Sequence, residues 1–80
     1  MPHFFFDSQD GTGVHDDRGM ELPSPAAAID HAIDTVTALA QTHRPRDDNM
    51  EFACVVRTEE EEVIYTALLV FVGRSGGLVS

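Results

Sequence analysis

The first candidate for chemistry lies at the start of the chain. Removal of Met1 from Met1-Pro2 would leave a prolyl amine. A secondary amine with a pKa near neutrality can act as a general base, moving a proton α to a carbonyl. The plainer reading of Pro2 is a residue preceding an edge strand, where no ladder donor is needed. Four histidines, His3, His15, His31 and His43, lie near aspartates and raise the question of a metal. His15-Asp16-Asp17 is the densest group, but adjacent residues of an extended chain point to opposite faces and do not converge on one ion. No His-x3-His spacing occurs. A calcium loop with Gly11 at its glycine position would place Phe6 at the first ligand position, so that pattern fails as well. We therefore expect no metal, no cofactor and no small-molecule substrate.

Three further groups have plain explanations. Asp30, His31 and Asp34 share one side of a helical pattern and read as a solvated face. Cys54, the single cysteine, sits among Ala53, Val55 and Val56 and reads as a packing thiol. Glu59 to Glu62 form an acidic run that could meet a basic partner. The simpler reading is a solvated turn that guards the apolar segment after it from aggregation.

Composition narrows the classes. The 80 residues carry 14 Asp and Glu against 5 Arg and no Lys, a net charge of -9. Phosphate binding needs a basic face, so nucleic acid is not an expected partner. The apolar fraction of 42% is that of a folded chain rather than a disordered one. Asp7, Asp10, Asp16 and Asp17 interrupt the first 20 residues, so a secretory signal is not expected there. The longest apolar run, residues 63–72, is too short for a membrane helix, which needs roughly 18–20 residues. A cytoplasmic location is expected, and a single cysteine suits a reducing compartment.

The elements that must position these groups follow from pattern and punctuation. Residues 3–9, with three consecutive Phe, read as a strand. Asp10 to Gly13 reads as a turn, residues 14–16 as a short return strand, Asp17-Arg18-Gly19 as a second turn and Glu21-Leu22 as a short extended piece. Ser24 suits a helix N-cap and Pro25 the first helical position. From Ala26 to about Thr42, Ile29, Ile33, Val36 and Ala40 recur at helical spacing, with Ala32 and Leu39 beside them. Residues 43–49 read as a loop in which Pro45 stops the helix. Strands follow at 50–58 and 63–72, joined by the Glu run. One domain over 1–72 and a flexible tail over 73–80 are expected.

The order β-β-α-β-β implies an α+β fold: a four-stranded, mainly antiparallel sheet with one helix packed on one face. In residues 63–72 both alternating sets are apolar, and one helix covers only one face. Something else must cover part of the second face, and a second copy is the simplest candidate. Domains this small also gain from oligomerisation. The expected interface draws on Phe4, Phe6, Val55, Leu68 and Val70, or on their neighbours in the opposite register, since a shift of one residue exchanges the two sets.

The opening MPHFFFD, followed by Asp10-Gly11, Asp17, Gly19 and Glu21-Leu22-Pro23 ahead of an Ala-rich helix, resembles a small bacterial family of uncharacterised proteins. That family is found mainly in alphaproteobacteria, especially rhizobial relatives, and is classed as a domain of unknown function. The likeness covers residues 1–42 well and 50–72 loosely. It implies no catalytic residue. The chain departs from the family pattern with His3 in place of Arg, with four Glu where an Asp-Gly turn is usual, and with a helix lacking Arg. By element order alone the chain is similar to small antitoxin domains of the HicB-like group, which would make it the regulatory partner of another protein. By its MPHF opening it is similar to some tautomerases, although these run from the first strand towards a helix rather than into a hairpin. The reading carried forward is a non-enzymatic protein acting by association, as a homodimer or with another protein. The antitoxin-like and tautomerase-like functions are its alternatives.

Overall fold

The computed structural model describes residues 1–10, 13–42 and 48–76. Parts of the turn expected over residues 10–13 and of the loop expected over 43–49, and the last four residues of the expected tail, lie outside the described residues.

β1 (His3–Gln9), β2 (Gly13–Val14), β3 (Met20–Glu21), α1 (Pro25–Thr42), β4 (Asn49–Thr58) and β5 (Val63–Val72) follow one another along the chain. Every pairing is antiparallel, with β1 beside β4 and β4 beside β5. The α+β arrangement is the one the sequence implies. The return arm comes in the two expected pieces, but both of them pair with β1, which gives one strand more than the four expected. β2 pairs with Ser8 and Gln9, and β3 with His3 and Phe4. Gly19 permits the split. Its φ is +71°, and a Cβ there would lie 2.6 Å from the His3 ring and 2.7 Å from the Phe4 carbonyl oxygen.

The helix starts where its capping residues dictate. The Ser24 hydroxyl accepts the Ala27 N–H at 3.2 Å, and Pro25 is the first helical residue. Its buried stripe is Ala28, Ala32 and Val36, and Ile33 is 44% exposed. The stripe is thus rotated from the one that the Ile29–Ile33 spacing predicts. Bulk explains the rotation. The sheet presents Phe4 and Phe52 to the helix, and small Ala side chains let the two layers close around them.

Residues opposite each other across a ladder share a face, so the register sorts the side chains. Phe4 faces Thr58, Phe6 faces Val56, Cys54 faces Ala67, and Phe52 faces Leu69. These lie on the helix side, where Phe4, Phe52, Cys54, Val56 and Ala67 form the core with the helix stripe. Phe5, Asp7, Val55, Arg57, Thr66, Leu68 and Val70 lie on the other side.

Candidate functional site

The side of the sheet away from the helix has two halves of different chemistry. Over β1 and β4 it is polar and closed. Asp7 and Arg57 project from neighbouring strands and meet in a two-pronged ion pair, Nε to Oδ2 at 2.7 Å and Nη2 to Oδ1 at 3.1 Å. Such paired geometry is the strongest form of carboxylate–guanidinium contact. Arg57 also donates to the Asp16 carbonyl at 2.7 Å and to His15 Nε2 at 3.3 Å, and its guanidinium carbon lies 5.0 Å from the Phe5 ring centre. The other ring nitrogen of His15, Nδ1, faces Asp7 Oδ1 at 3.4 Å.

Asp16 closes the edge of the sheet. Its carboxylate accepts the Phe6 N–H at 3.0 Å, in the gap between β2 and β3 where β1 has no strand partner on that side. It also accepts the N–H groups of Arg18 and Gly19, each at 3.1 Å, while its own N–H donates to Asp7 at 2.9 Å. His3 bonds the Arg18 carbonyl at 2.7 Å. One side chain thereby does the work of the missing ladder residue. The electrostatics agree. The Arg57 hydrogen bond holds the Asp7 carboxyl below its ordinary range, against a smaller desolvation effect that raises it. Desolvation raises the Asp16 carboxyl, but the Phe6, Gly19 and Arg18 donors together outweigh it, and the net shift is downward.

A shallow hollow of about 280 Å³ lies beside this clasp, lined by Asp7, Gln9, Val14, His15 and Val55 among others. On its polar side Asp7 is held by Arg57 and by the Asp16 backbone. Among the described residues no group of three His, Cys, Asp or Glu converges to hold a metal. Cys54 is buried, and desolvation with the nearby Asp7 and Asp16 charges pushes its thiol up to about 11. Pro2 lies at the other end of β1 from the hollow, where its carbonyl accepts the Leu22 N–H at 3.1 Å. Asp30 and Asp34 are exposed on the helix, and His31 meets the Phe6 ring edge-on at 4.5 Å.

The β5 half of the same face is open and mainly apolar, with Thr66 on the strand itself and Glu51 of β4 opposite Val70 as its polar members. Leu68 is 57% exposed, and Val70 and Val72 are similarly open. The five residues expected at an interface therefore divide. Val55, Leu68 and Val70 share the open face. Phe4 is buried under the helix and Phe6 packs beside it, so neither can belong to that surface. The register explains the division, because the even-numbered residues of β1 pair with the helix-side residues of β4. Asp7 and Arg57 escaped the sequence reading. Their signal was a lone acid and a lone base, each interrupting an apolar stretch of strand.

One helix laid across an antiparallel sheet, with one face partly uncovered, defines a small α+β domain. The chain belongs to the family described as a domain of unknown function, DUF6894, whose model matches residues 3–70. No curated protein and no solved structure matches it. Among the described residues no helix is long and apolar enough to cross a membrane.

Proposed function

We propose that this protein acts by association rather than by catalysis, and that it associates with a second copy of itself through the β5 side of the uncovered sheet surface. One observation carries the reading: β5 runs ten residues without a charge and leaves Leu68, Val70 and Val72 in water. Bare apolar surface of this kind marks interaction sites. The hydrogen bonds that tie Asp7, Asp16 and Arg57 to one another support a holding role for the polar half of the face. The charge pattern also bears on the partner: in a chain of net charge -9 β5 itself carries no charge, and the nearest one on this face is Glu51, opposite Val70.

The test is a charge placed in the proposed surface. Leu68→Glu should shift the mass in solution towards that of a single chain. Ile33→Glu, at another exposed apolar position, on the helix, should leave it unchanged. Identical behaviour of both variants and the parent would contradict the reading.

A further inference from the structure

The exposed apolar residues of β5 do not lie on one face. Leu68, Val70 and Val72 point away from the helix, whereas Leu69 and Phe71, each about 40% exposed, belong to the helix side. Leu69 and Phe71 border a hollow of about 280 Å³ with Ala40 and Phe52, beyond the reach of the helix stripe. A partner laid on the open face alone would cover the first three and leave the other two in water. The one surface that both sets share is the free edge of β5.

That edge is also chemically unlike the opposite one. At the β1 edge the chain places β2, β3 and the Asp16 carboxylate over the backbone donors. Among the described residues nothing pairs with β5 except β4. Neither a Lys nor a Pro interrupts it, although such residues are the usual protection of an edge. The hydrogen-bond phase is set by Gly73, whose N–H donates to the Asp48 carbonyl at 2.6 Å. With alternate residues bonding inward, Phe71, Leu69 and Ala67 serve β4, and Val72, Val70, Leu68 and Thr66 present their N–H and C=O groups outward.

We propose that two copies join edge to edge, β5 against β5 in antiparallel pairing about a two-fold axis at Leu68, so that one sheet runs through the dimer with both helices on the same side. This rests on the self-association reading and moves the contact from the open sheet face to its β5 edge. Leu68 then lies opposite Leu68 of the second copy, each N–H donating to the other's C=O, and Thr66 lies opposite Val70. On the helix side Tyr65 of each copy covers Phe71 of the other, and Ala67 covers Leu69. Charge selects the register. Counted across the bulge at Ile64, centring on Leu68 brings exposed Arg74 of each copy to the acidic turn of the other, at Glu61 and Glu62. Centring on Leu69 would set Arg74 against apolar Val63 instead. The two-fold duplicates the contact, so the surface is self-complementary and closed rather than filament-forming.

Two measurements test it. Opposed residues of a hydrogen-bonded antiparallel pair lie about 5.5 Å apart at Cα, within disulfide range. Leu68→Cys should therefore give a covalent dimer on mild oxidation. Val72→Cys, similarly exposed, lies far from its own copy in this register and should not; buried Cys54 does not compete. Arg74→Glu and Glu62→Arg should each weaken the dimer, on the order of tenfold, and the double reversal should restore it. General charge repulsion would instead make the two single changes act in opposite directions. A dimer that neither cross-links at Leu68→Cys nor responds to the charge reversals would overturn the edge pairing and leave self-association standing. A monomer at every concentration would overturn both.

Discussion

Arg57 holds Asp7 through two hydrogen bonds, at 2.7 and 3.1 Å, although 50 residues separate them in the chain. The pair sits at the centre of a clasp. Asp7 accepts from the backbone of Asp16, Arg57 donates to the carbonyl of the same residue, and the Asp16 carboxylate seals the β1 edge. The segment between β2 and β3 is thereby fixed to the sheet by charge and hydrogen bonding rather than by apolar burial.

The clasp should make stability depend on acid. Both Asp7 and Asp16 have carboxyls held below their ordinary value of 3.8 in the folded chain. In the interval between the folded and unfolded pKa the unfolded chain binds more protons, so stability rises with pH there. The contribution is complete above the unfolded value and is lost as pH falls through the lower folded values. Denaturant midpoints measured from pH 6 down to pH 2 should fall most steeply below about pH 4. Asp16→Ala removes the acceptor of three backbone donors and should cost about 1–2 kcal/mol at neutral pH, with a flatter acid limb. Asp17→Ala, at an exposed neighbour, should stay within about 0.5 kcal/mol.

The hairpin between β4 and β5 carries a correctable strain. Glu61 has a φ of +62°, a region that a residue with a Cβ enters reluctantly. Its N–H donates to the Thr58 carbonyl, and the Thr58 N–H donates to the Glu62 carbonyl, both at 2.9 Å. That is the geometry of a turn followed by a bulge whose first residue is usually glycine. Glu61→Gly should therefore stabilise the protein by about 1 kcal/mol, read as a higher urea midpoint with an unchanged slope. Part of that gain would come from relieving repulsion in the four-Glu run.

Packing of the helix makes an opposite pair of expectations at adjacent residues. Ala32 is fully buried against the sheet, so Ala32→Leu should overfill the layer and cost about 1–3 kcal/mol. Ile33→Ala removes a larger side chain from a solvated position and should change stability by less than about 1 kcal/mol. Thermal or chemical denaturation of the two variants distinguishes this helix orientation from the one that places Ile33 in the core.

What the sequence could show was local. The strand over 63–72 and the Ser24 cap were legible because β-branched runs and capping chemistry depend on neighbours in the chain. The rotation of the helix was not, because its apolar spacing reads equally well through Ile33 and through the alanines. Only the bulk of Phe4 and Phe52 on the sheet decides between them. Register was hidden for a similar reason. With both alternating sets of β5 apolar, nothing in the chain placed Phe4 and Phe6 on one face and Val55, Leu68 and Val70 on the other. The uncovered surface itself was legible, since an excess of apolar residues over what one helix can cover is a matter of counting faces.

The most direct test of the central claim is the mass of the unmodified protein in solution, by size exclusion with light scattering over a dilution series. Self-association through β5 predicts twice the chain mass of 8.8 kDa, falling towards 8.8 kDa only on strong dilution. A mass of 8.8 kDa at every concentration would contradict it.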